Sequence, residues 1–490
     1  MLIRHISIYA LARGIPGLVS LLAIVAYSRL LTPEEYGQYS MLIAAAGFGS
    51  AIFFHWLSVG LLRFLPAHAH DCGGFSGTVL RAFIAVVLLT AIPGTIAITC
   101  YPDVEMRPLL YVGLVLCWSQ SFHSLNLEFT RCQFKPAMYG ALSTVRALIG
   151  LALGGLLAYW GFGALGLLAG ALAGYLISSL WGVSSRWAGA SQVQEDRRDM
   201  VKQLLAYGLP LTATYALGML INTSDRFLIG YFLGAEKTGL YSAGYELAKN
   251  SIGMIMMIVN LAAYPLAVDA LENRSRSDTE RQLENNLIAL LAVSLPSVVG
   301  MVLLSENITA VFLGRLFSGA ARELMPLIAV GALCSGLKSY YFDLSFQLGR
   351  STLGQVWVVL VAAMVNIVIN VLTIPVWGLV AAAYANIVAY ATGLLLSWLV
   401  GMRIFRLPFP LRKLAKIFVA TACMALFLYP VVSWRGAIAL AFQVIWGVLV
   451  FVVCAYGLDV AGFRKKIVLI SRGGQVGPAT QGKGEYHTKD

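Results

Sequence analysis

The chain has 490 residues, of which 59% are hydrophobic and only 12% charged, against roughly 25% charged in a soluble domain. A chain this apolar cannot cover a soluble surface and must use lipid as its solvent. Its formal charge of +12 comes from Lys and Arg gathered in short loops, a topology signal that excludes a nucleic-acid role.

Crossing the hydrocarbon layer takes about 20 residues of helix. Apolar stretches of that length fall at 6–29, 37–62, 78–100, 109–130, 138–159 and 163–182, and after a polar break at 207–232, 239–265, 286–304, 324–346, 353–376, 379–400, 412–433 and 436–457. None alternates with period 2, so the fourteen predict membrane helices and exclude an outer-membrane barrel. The first lacks a small-residue cleavage site and reads as an uncleaved span. Between the first two stretches, Thr32 is a good N-cap, Pro33 suits the first helical position, and Glu35 completes a Thr-x-x-Glu capping box. Gly234 is placed to end the seventh helix in a left-handed conformation. Glu34, Glu35 and Glu236 are therefore read as cap residues.

An even number of spans puts both termini on one side. With that side cytoplasmic, 24 Lys and Arg fall in cytoplasmic loops and tail, six (Arg29, Arg107, Lys237, Arg315, Arg322 and Arg435) fall in the opposite loops, and five lie inside helices. Positive residues are retained in the cytoplasm, so both termini are expected there. The seven cysteines have no metal or redox spacing and read as small apolar fillers. His68, His70 and Cys72 sit together without a second ligand cluster, so neither a metal site nor a cofactor is expected.

The chain also repeats itself. Leu31-Thr-Pro-Glu-Glu-Tyr-Gly-Gln-Tyr-Ser40 aligns with Leu233-Gly-Ala-Glu-Lys-Thr-Gly-Leu-Tyr-Ser242, 202 residues later. Gly14-Ile-Pro16 is echoed by Gly208-Leu-Pro210, and Trp160-Gly161 by Trp377-Gly378. Copies in the same order and orientation predict two parallel six-helix lobes, at 1–184 and 207–400, around a central pathway. A cytoplasmic linker would occupy 185–206, two appended helices 401–457, and a polar, disordered cytoplasmic tail 458–490.

Ionisable residues inside spans cost at least about 2.5–3.5 kcal/mol and normally line a cavity or pair. Arg13 and Arg146 lie in the first and fifth helices, Asp225 and Arg226 in the seventh, Glu246 and Lys249 in the eighth, and Lys338 and Asp343 in the tenth. Asp225 and Glu246 lie at similar depth, so an Asp225–Lys249 or Glu246–Lys249 pair that only ties helices together is one reading. The other is a cationic cavity wall of Arg13, Arg146, Arg226, Lys249 and Lys338, with Asp225 and Glu246 as coupling or ion-pair groups. Arg grips a pyrophosphate bidentately and Lys meets it as a point charge. Tyr207, Tyr215, Tyr231, Tyr241 and Tyr245 could stack on sugars or form an interfacial belt.

Ser28-Arg-Leu-Leu-Thr-Pro-Glu-Glu-Tyr-Gly-Gln-Tyr-Ser40 resembles the first-hairpin signature of the polysaccharide transporter family, the Wzx-type oligosaccharide flippases. Tyr207-Gly-Leu-Pro-Leu211, Asp225-Arg-Phe-Leu-Ile-Gly230 and Gly239-Leu-Tyr-Ser-Ala-Gly-Tyr-Glu-Leu-Ala248 resemble its second-half signature. The resemblance implies a V-shaped, two-lobed α-helical fold like that of multidrug and toxin extrusion antiporters. It also implies alternating access, and flipping of an undecaprenyl-diphosphate-linked oligosaccharide for O-antigen, capsule or exopolysaccharide synthesis. The implied partners are membrane lipids and the polymerase and glycosyltransferases of the same pathway. The family's functional cations would correspond to Arg13, Arg29, Arg63, Arg226 and Lys249, although only Arg29 and Arg226 lie inside a matched motif. A multidrug or cation antiporter is the alternative, weakened by the absence of a carboxylate in the first helix. A membrane polymerase or glycosyltransferase would need a large soluble loop or an Asp-x-Asp motif, and the chain has neither, so it is not read as an enzyme.

Overall fold

The computed structural model describes residues 2–181, 187, 198–349 and 351–460, with the side chains of 2–13, 69–71 and 352 outside that description. The described residues form helices and short connections, without strands. All fourteen apolar stretches fall on helices: α1 (Leu2–Leu30), α2 (Pro33–Phe53) with α3 (His55–Phe64), α4 (Cys72–Thr99), α5 (Arg107–Cys132), α6 (Pro136–Leu157), α7 (Gly163–Leu180), α8 (Arg198–Asn273, carrying two), α9 (Arg276–Leu303), and then, past the short α10 (Ser305–Phe312), α11 (Arg315–Leu337) with α12 (Leu344–Leu348), α13 (Thr352–Trp377), α14 (Leu379–Ile404), α15 (Leu411–Leu428) and α16 (Ala437–Gly457). Among the described residues, nine helical units are long and apolar enough to cross a membrane by composition alone, or ten with the bent pair α2–α3. Two of the nine, Pro136–Leu180 and Arg198–Asn273, each contain two of the predicted stretches. This is a multi-pass membrane protein.

Local sequence sets the breaks. Thr32 Oγ1 accepts from Glu35 N and the Glu35 carboxylate accepts from Thr32 N, the reciprocal capping box that starts α2. α8 runs 76 residues and is interrupted at Gly234 (φ 87°, ψ 174°), so the positive φ expected there is found, with an extended ψ in place of a left-handed helical one. The Trp-Gly echo also has a backbone cause, because Gly161 and Gly378 both take positive φ at the turns into α7 and α14. The polar stretch expected to be linker up to 206 is already helical from Arg198, and most of the rest of it lies outside the described residues, as does the tail from 461. Prolines 16, 93, 210, 265, 296, 326 and 375 sit inside helices, a placement that membrane helices tolerate because neighbours satisfy the freed carbonyls.

The two echoed hairpins pack on each other reciprocally. A Cβ on Gly37 would lie 1.8 Å from the Ala235 carbonyl oxygen, and one on Gly239 would lie 1.8 Å from that of Pro33. Ser40 Oγ donates to Ser242 Oγ at 2.9 Å, so residues 202 apart in sequence meet in space. Contacts of i with j mirrored by j with i define a local twofold between these segments, and only glycine allows the two backbones so close. A buried cluster including Tyr36, Ile229, Tyr241, Tyr245, Phe317 and Ala382 surrounds this crossing. Separate clusters fill the first-half helices and the second-half helices. Lipid tails are as apolar as leucine, so close packing and interhelical hydrogen bonds hold these helices together. Large side chains left open, such as Leu89 at 72% and Ile438 at 89%, point to where lipid lies.

Candidate functional site

Two cavities lie along α1, the first mainly among first-half helices and the second between α1 and second-half helices. The first, about 240 Å³, is walled by Tyr27, Tyr36, Tyr39, Arg146, Tyr175 and Glu246. The second, about 380 Å³, is walled by Lys249, Met254, Ser335, Ser339 and Tyr340. Ser20 and Asn250 line both. The Gly37–Gly239 crossing and the Ser40–Ser242 hydrogen bond lie next to the first cavity's wall residues Tyr36 and Tyr39 in sequence.

Each wall group has a definite support. Arg146 Nη1 donates to the Tyr175 hydroxyl at 3.0 Å, and its guanidinium lies 5.0 Å from that ring's centre. Glu246 accepts from the Tyr36 hydroxyl at 3.0 Å and pairs with Arg226 at 2.9 Å. Arg226 therefore stands behind Glu246, off both cavity walls, with its Nε unpartnered among the described residues. Lys249 Nζ donates to the Tyr245 hydroxyl at 2.6 Å, to Asn222 Oδ1, and at 3.5 Å to the Tyr390 hydroxyl. Its ligands are neutral, and no carboxylate touches it among the described residues.

The expected pairing of Lys249 with Asp225 or Glu246 is thus replaced by Arg226–Glu246. Successive residues on a helix point about 100° apart, so Asp225 and Arg226 face different neighbours. Asp225 turns toward α13 and α14, where it accepts from Tyr241 at 2.9 Å, Asn370 at 2.7 Å and Asn386 at 2.5 Å. Asn366 extends that network, accepting from Ser224 at 2.8 Å. These asparagines were not singled out from the sequence. Their signal is present in it: Asn366 and Asn370 are spaced i, i+4 on an otherwise apolar helix, a polar pair on one face.

Of the five cations expected to form a wall, Arg146 and Lys249 line these cavities among the described residues. Lys338 is closed in a buried pair with Asp343 at 2.8 Å, with Ser397 donating to the other carboxylate oxygen at 2.7 Å. Arg29 is exposed and donates to the Val311 carbonyl at 2.7 Å, tying α1 to the end of α10. Arg63 is exposed near the end of α3 and lines neither cavity. The Arg13 side chain lies outside the described residues. Among the described residues no group of three or more His, Cys, Asp or Glu could hold a metal ion. Of the His68, His70 and Cys72 trio, His68 stacks on Phe75 and bonds the Phe64 carbonyl, and the His70 side chain is not described. Two cations, one paired carboxylate, amide groups and aromatic rings make a surface suited to an anionic, hydroxyl-rich ligand.

A Shigella flexneri protein named as an O-antigen transporter is 21% identical over 355 residues, covering 69% of this chain and 83% of its own. The teichuronic acid biosynthesis protein TuaB of Bacillus subtilis is 32% identical over a shorter match, 28% of each chain. Among solved structures, the lipid II flippase MurJ in an inward closed conformation superposes with a TM-score of 0.77 at 14% identity, covering 94% of this chain and 99% of its own. An inward-facing multidrug resistance transporter of the MATE family and MOP superfamily superposes with a TM-score of 0.66 at 14% identity, covering 81% of this chain and 98% of its own. At that identity both show the fold alone, and the fold is the MATE-like polytopic one. The family described as polysaccharide biosynthesis protein matches residues 26–322, and the chain belongs to that family.

Proposed function

We propose that the protein flips a lipid-diphosphate-linked oligosaccharide from the cytoplasmic to the periplasmic leaflet of a bacterial inner membrane by alternating access, for O-antigen, capsule or exopolysaccharide synthesis. The observation that carries this reading is the pair Arg146 and Lys249 on adjoining cavity walls joined by Ser20 and Asn250, with tyrosine faces beside them. Arg146 and Lys249 take the diphosphate. Tyr27, Tyr36, Tyr39, Tyr175 and Tyr340 are the faces for sugar rings. The family membership and the O-antigen transporter among the relatives support the cargo class. The work is translocation with no covalent step. Residues 1–184 and 207–400 act as the two lobes, with 401–457 appended, and both termini are cytoplasmic. The lipid carriers come from the glycosyltransferases of the same pathway, and the flipped product passes to its polymerase.

Coupling is assigned to Asp225, a buried carboxylate that accepts from Tyr241 and two asparagines and has no cationic contact among the described residues. That network is also what a cation-coupled antiporter would use, so Asp225→Asn separates the readings only together with a cargo assay. The decisive experiment measures surface glycan in cells carrying Arg146→Ala or Lys249→Ala, with membrane protein quantified in parallel. A charge-assisted phosphate contact is worth roughly 1.5–3 kcal/mol, so export falls about ten- to a hundredfold while the protein remains in the membrane. Arg146→Lys recovers part of it, since charge survives and the planar fork does not. Unchanged export in both alanine variants sinks the diphosphate site. Drug efflux in place of glycan export would establish the antiporter.

A further inference from the structure

A second polar pocket, of about 550 Å³, lies away from the central cavities, between the α8–α9 turn and the end of α14. Four of its wall residues are arginines: Arg274, Arg276, Arg403 and Arg406. Two of these are compensated, Arg274 by Asp269 at 3.1 Å and Arg276 by Glu280 at 3.3 Å. Arg403 and Arg406 have no acidic partner among the described residues, so the pocket holds two uncompensated positive charges. Apolar side chains, including Leu271 and Phe405, complete the wall.

Depth fixes what such a pocket meets. α14 has 26 residues, about 39 Å at ~1.5 Å per residue, which exceeds the ~30 Å hydrocarbon layer. Its last turn, with Arg403, therefore emerges at headgroup level, and Arg406 follows within three residues. A soluble anion would not need the apolar wall, whereas a lipid brings a phosphate with a glycerol and acyl chains beneath it. Basic pockets on the cytoplasmic rim of helix bundles hold anionic headgroups by this combination of charge and level. We propose that this pocket binds the phosphate of an anionic phospholipid of the cytoplasmic leaflet, with Arg403 and Arg406 as its principal cations. The leaflet rests on the orientation proposed above. The phosphate chemistry does not depend on which cargo the central cavity takes.

The test is native mass spectrometry of the purified, delipidated full-length protein titrated with phosphatidylglycerol, phosphatidylcholine or inorganic phosphate. Wild type retains phosphatidylglycerol saturably and in preference to phosphatidylcholine. Each Arg near the surface contributes about a factor of five, so Arg403→Gln with Arg406→Gln weakens retention on the order of twentyfold. Arg403→Lys with Arg406→Lys keeps most of it, which guards against a folding artefact. Arg131→Gln with Lys135→Gln removes two exposed charges elsewhere and leaves retention unchanged. Equal loss in that control pair, or none in the glutamine pair, would overturn a local site in favour of diffuse charge. Displacement of the lipid by millimolar inorganic phosphate would make the ligand a soluble phospho-anion and overturn the lipid assignment. A loss of glycan export without any loss of lipid retention would leave this site standing and speak only to the central cavity.

Discussion

At the scale of single residues, the membrane-buried charges divide into struts and free groups, and the two respond oppositely to mutation. Lys338 and Asp343 are 9% and 4% exposed and 2.8 Å apart. Removing one member of such a pair leaves an uncompensated buried charge and costs about 3–5 kcal/mol, whereas replacing both with apolar residues is often neutral. Lys338→Met should therefore deplete protein from the membrane, and Lys338→Met with Asp343→Leu should restore it, measured by immunoblot of membrane fractions. Continued depletion in the double variant would refute the strut. Lys249 behaves differently because its partners are neutral and can bond one another, as Tyr390 already does with Asn222 at 2.8 Å. Lys249→Ala should keep normal abundance while losing export, and adding Asp225→Asn and Glu246→Gln should not bring export back. Recovery in that triple variant would mark Lys249 as a strut and remove it from the site. The sequence located all these residues on helices but could not assign their pairing. Depth follows from counting along a helix, whereas pairing depends on how each helix is rotated about its own axis. Successive residues point about 100° apart, so a rotation of that size about the helix axis exchanges one residue's neighbours for the next one's.

At the scale of elements, the repeat gains a mechanical meaning. The echoed motif was legible as a capped hairpin, and the Thr32–Glu35 box forms as the spacing requires. What a linear sequence cannot express is that the two copies touch. Nothing in the linear motif marks Gly37 and Gly239 as contact points, yet their backbones cross within reach of a missing Cβ. In the proposed alternating access, this close-packed crossing is the barrier that has to part. Ser40→Cys with Ser242→Cys replaces two hydroxyls 2.9 Å apart, a separation compatible with a disulfide once the side chains rotate. Oxidation of that variant should stop glycan export, and a reductant should restore it. Export that continues with the crosslink fully formed would show that this crossing is not the moving barrier. Gly37→Val should favour the open arrangement for the converse reason, since the added side chain collides with the Ala235 carbonyl. Its readout is faster alkylation of a cysteine placed at Asn250 from the hairpin side.

At the scale of the whole molecule, architecture survives where identity does not: 14% identity accompanies a TM-score of 0.77 over 94% of the chain. The constraint comes from the solvent. Lipid forces every span to be a complete helix, so the apolar rhythm of the sequence fixes helix number and order even as side chains drift. The site has no such protection, which explains why a handful of asparagines on α13 and α14 escaped notice in a background of valine and alanine. The proposed orientation rests on charge bias, and the proposed direction of transport rests on that orientation. Orientation is tested by placing single cysteines at Glu34 and Glu236, both exposed beside the hairpin turns, in a background with exposed Cys100 changed to Ser. A membrane-impermeant maleimide applied to intact cells from which the outer barrier has been removed should label both. A cysteine at Lys135, exposed at the opposite end of the bundle, should label only after the membrane is permeabilised. The reverse pattern would invert the molecule, turning the closed hairpin end toward the cytoplasm and the arginine pocket toward the outer leaflet. It would then reverse the proposed direction of flipping while leaving the fold and the family untouched.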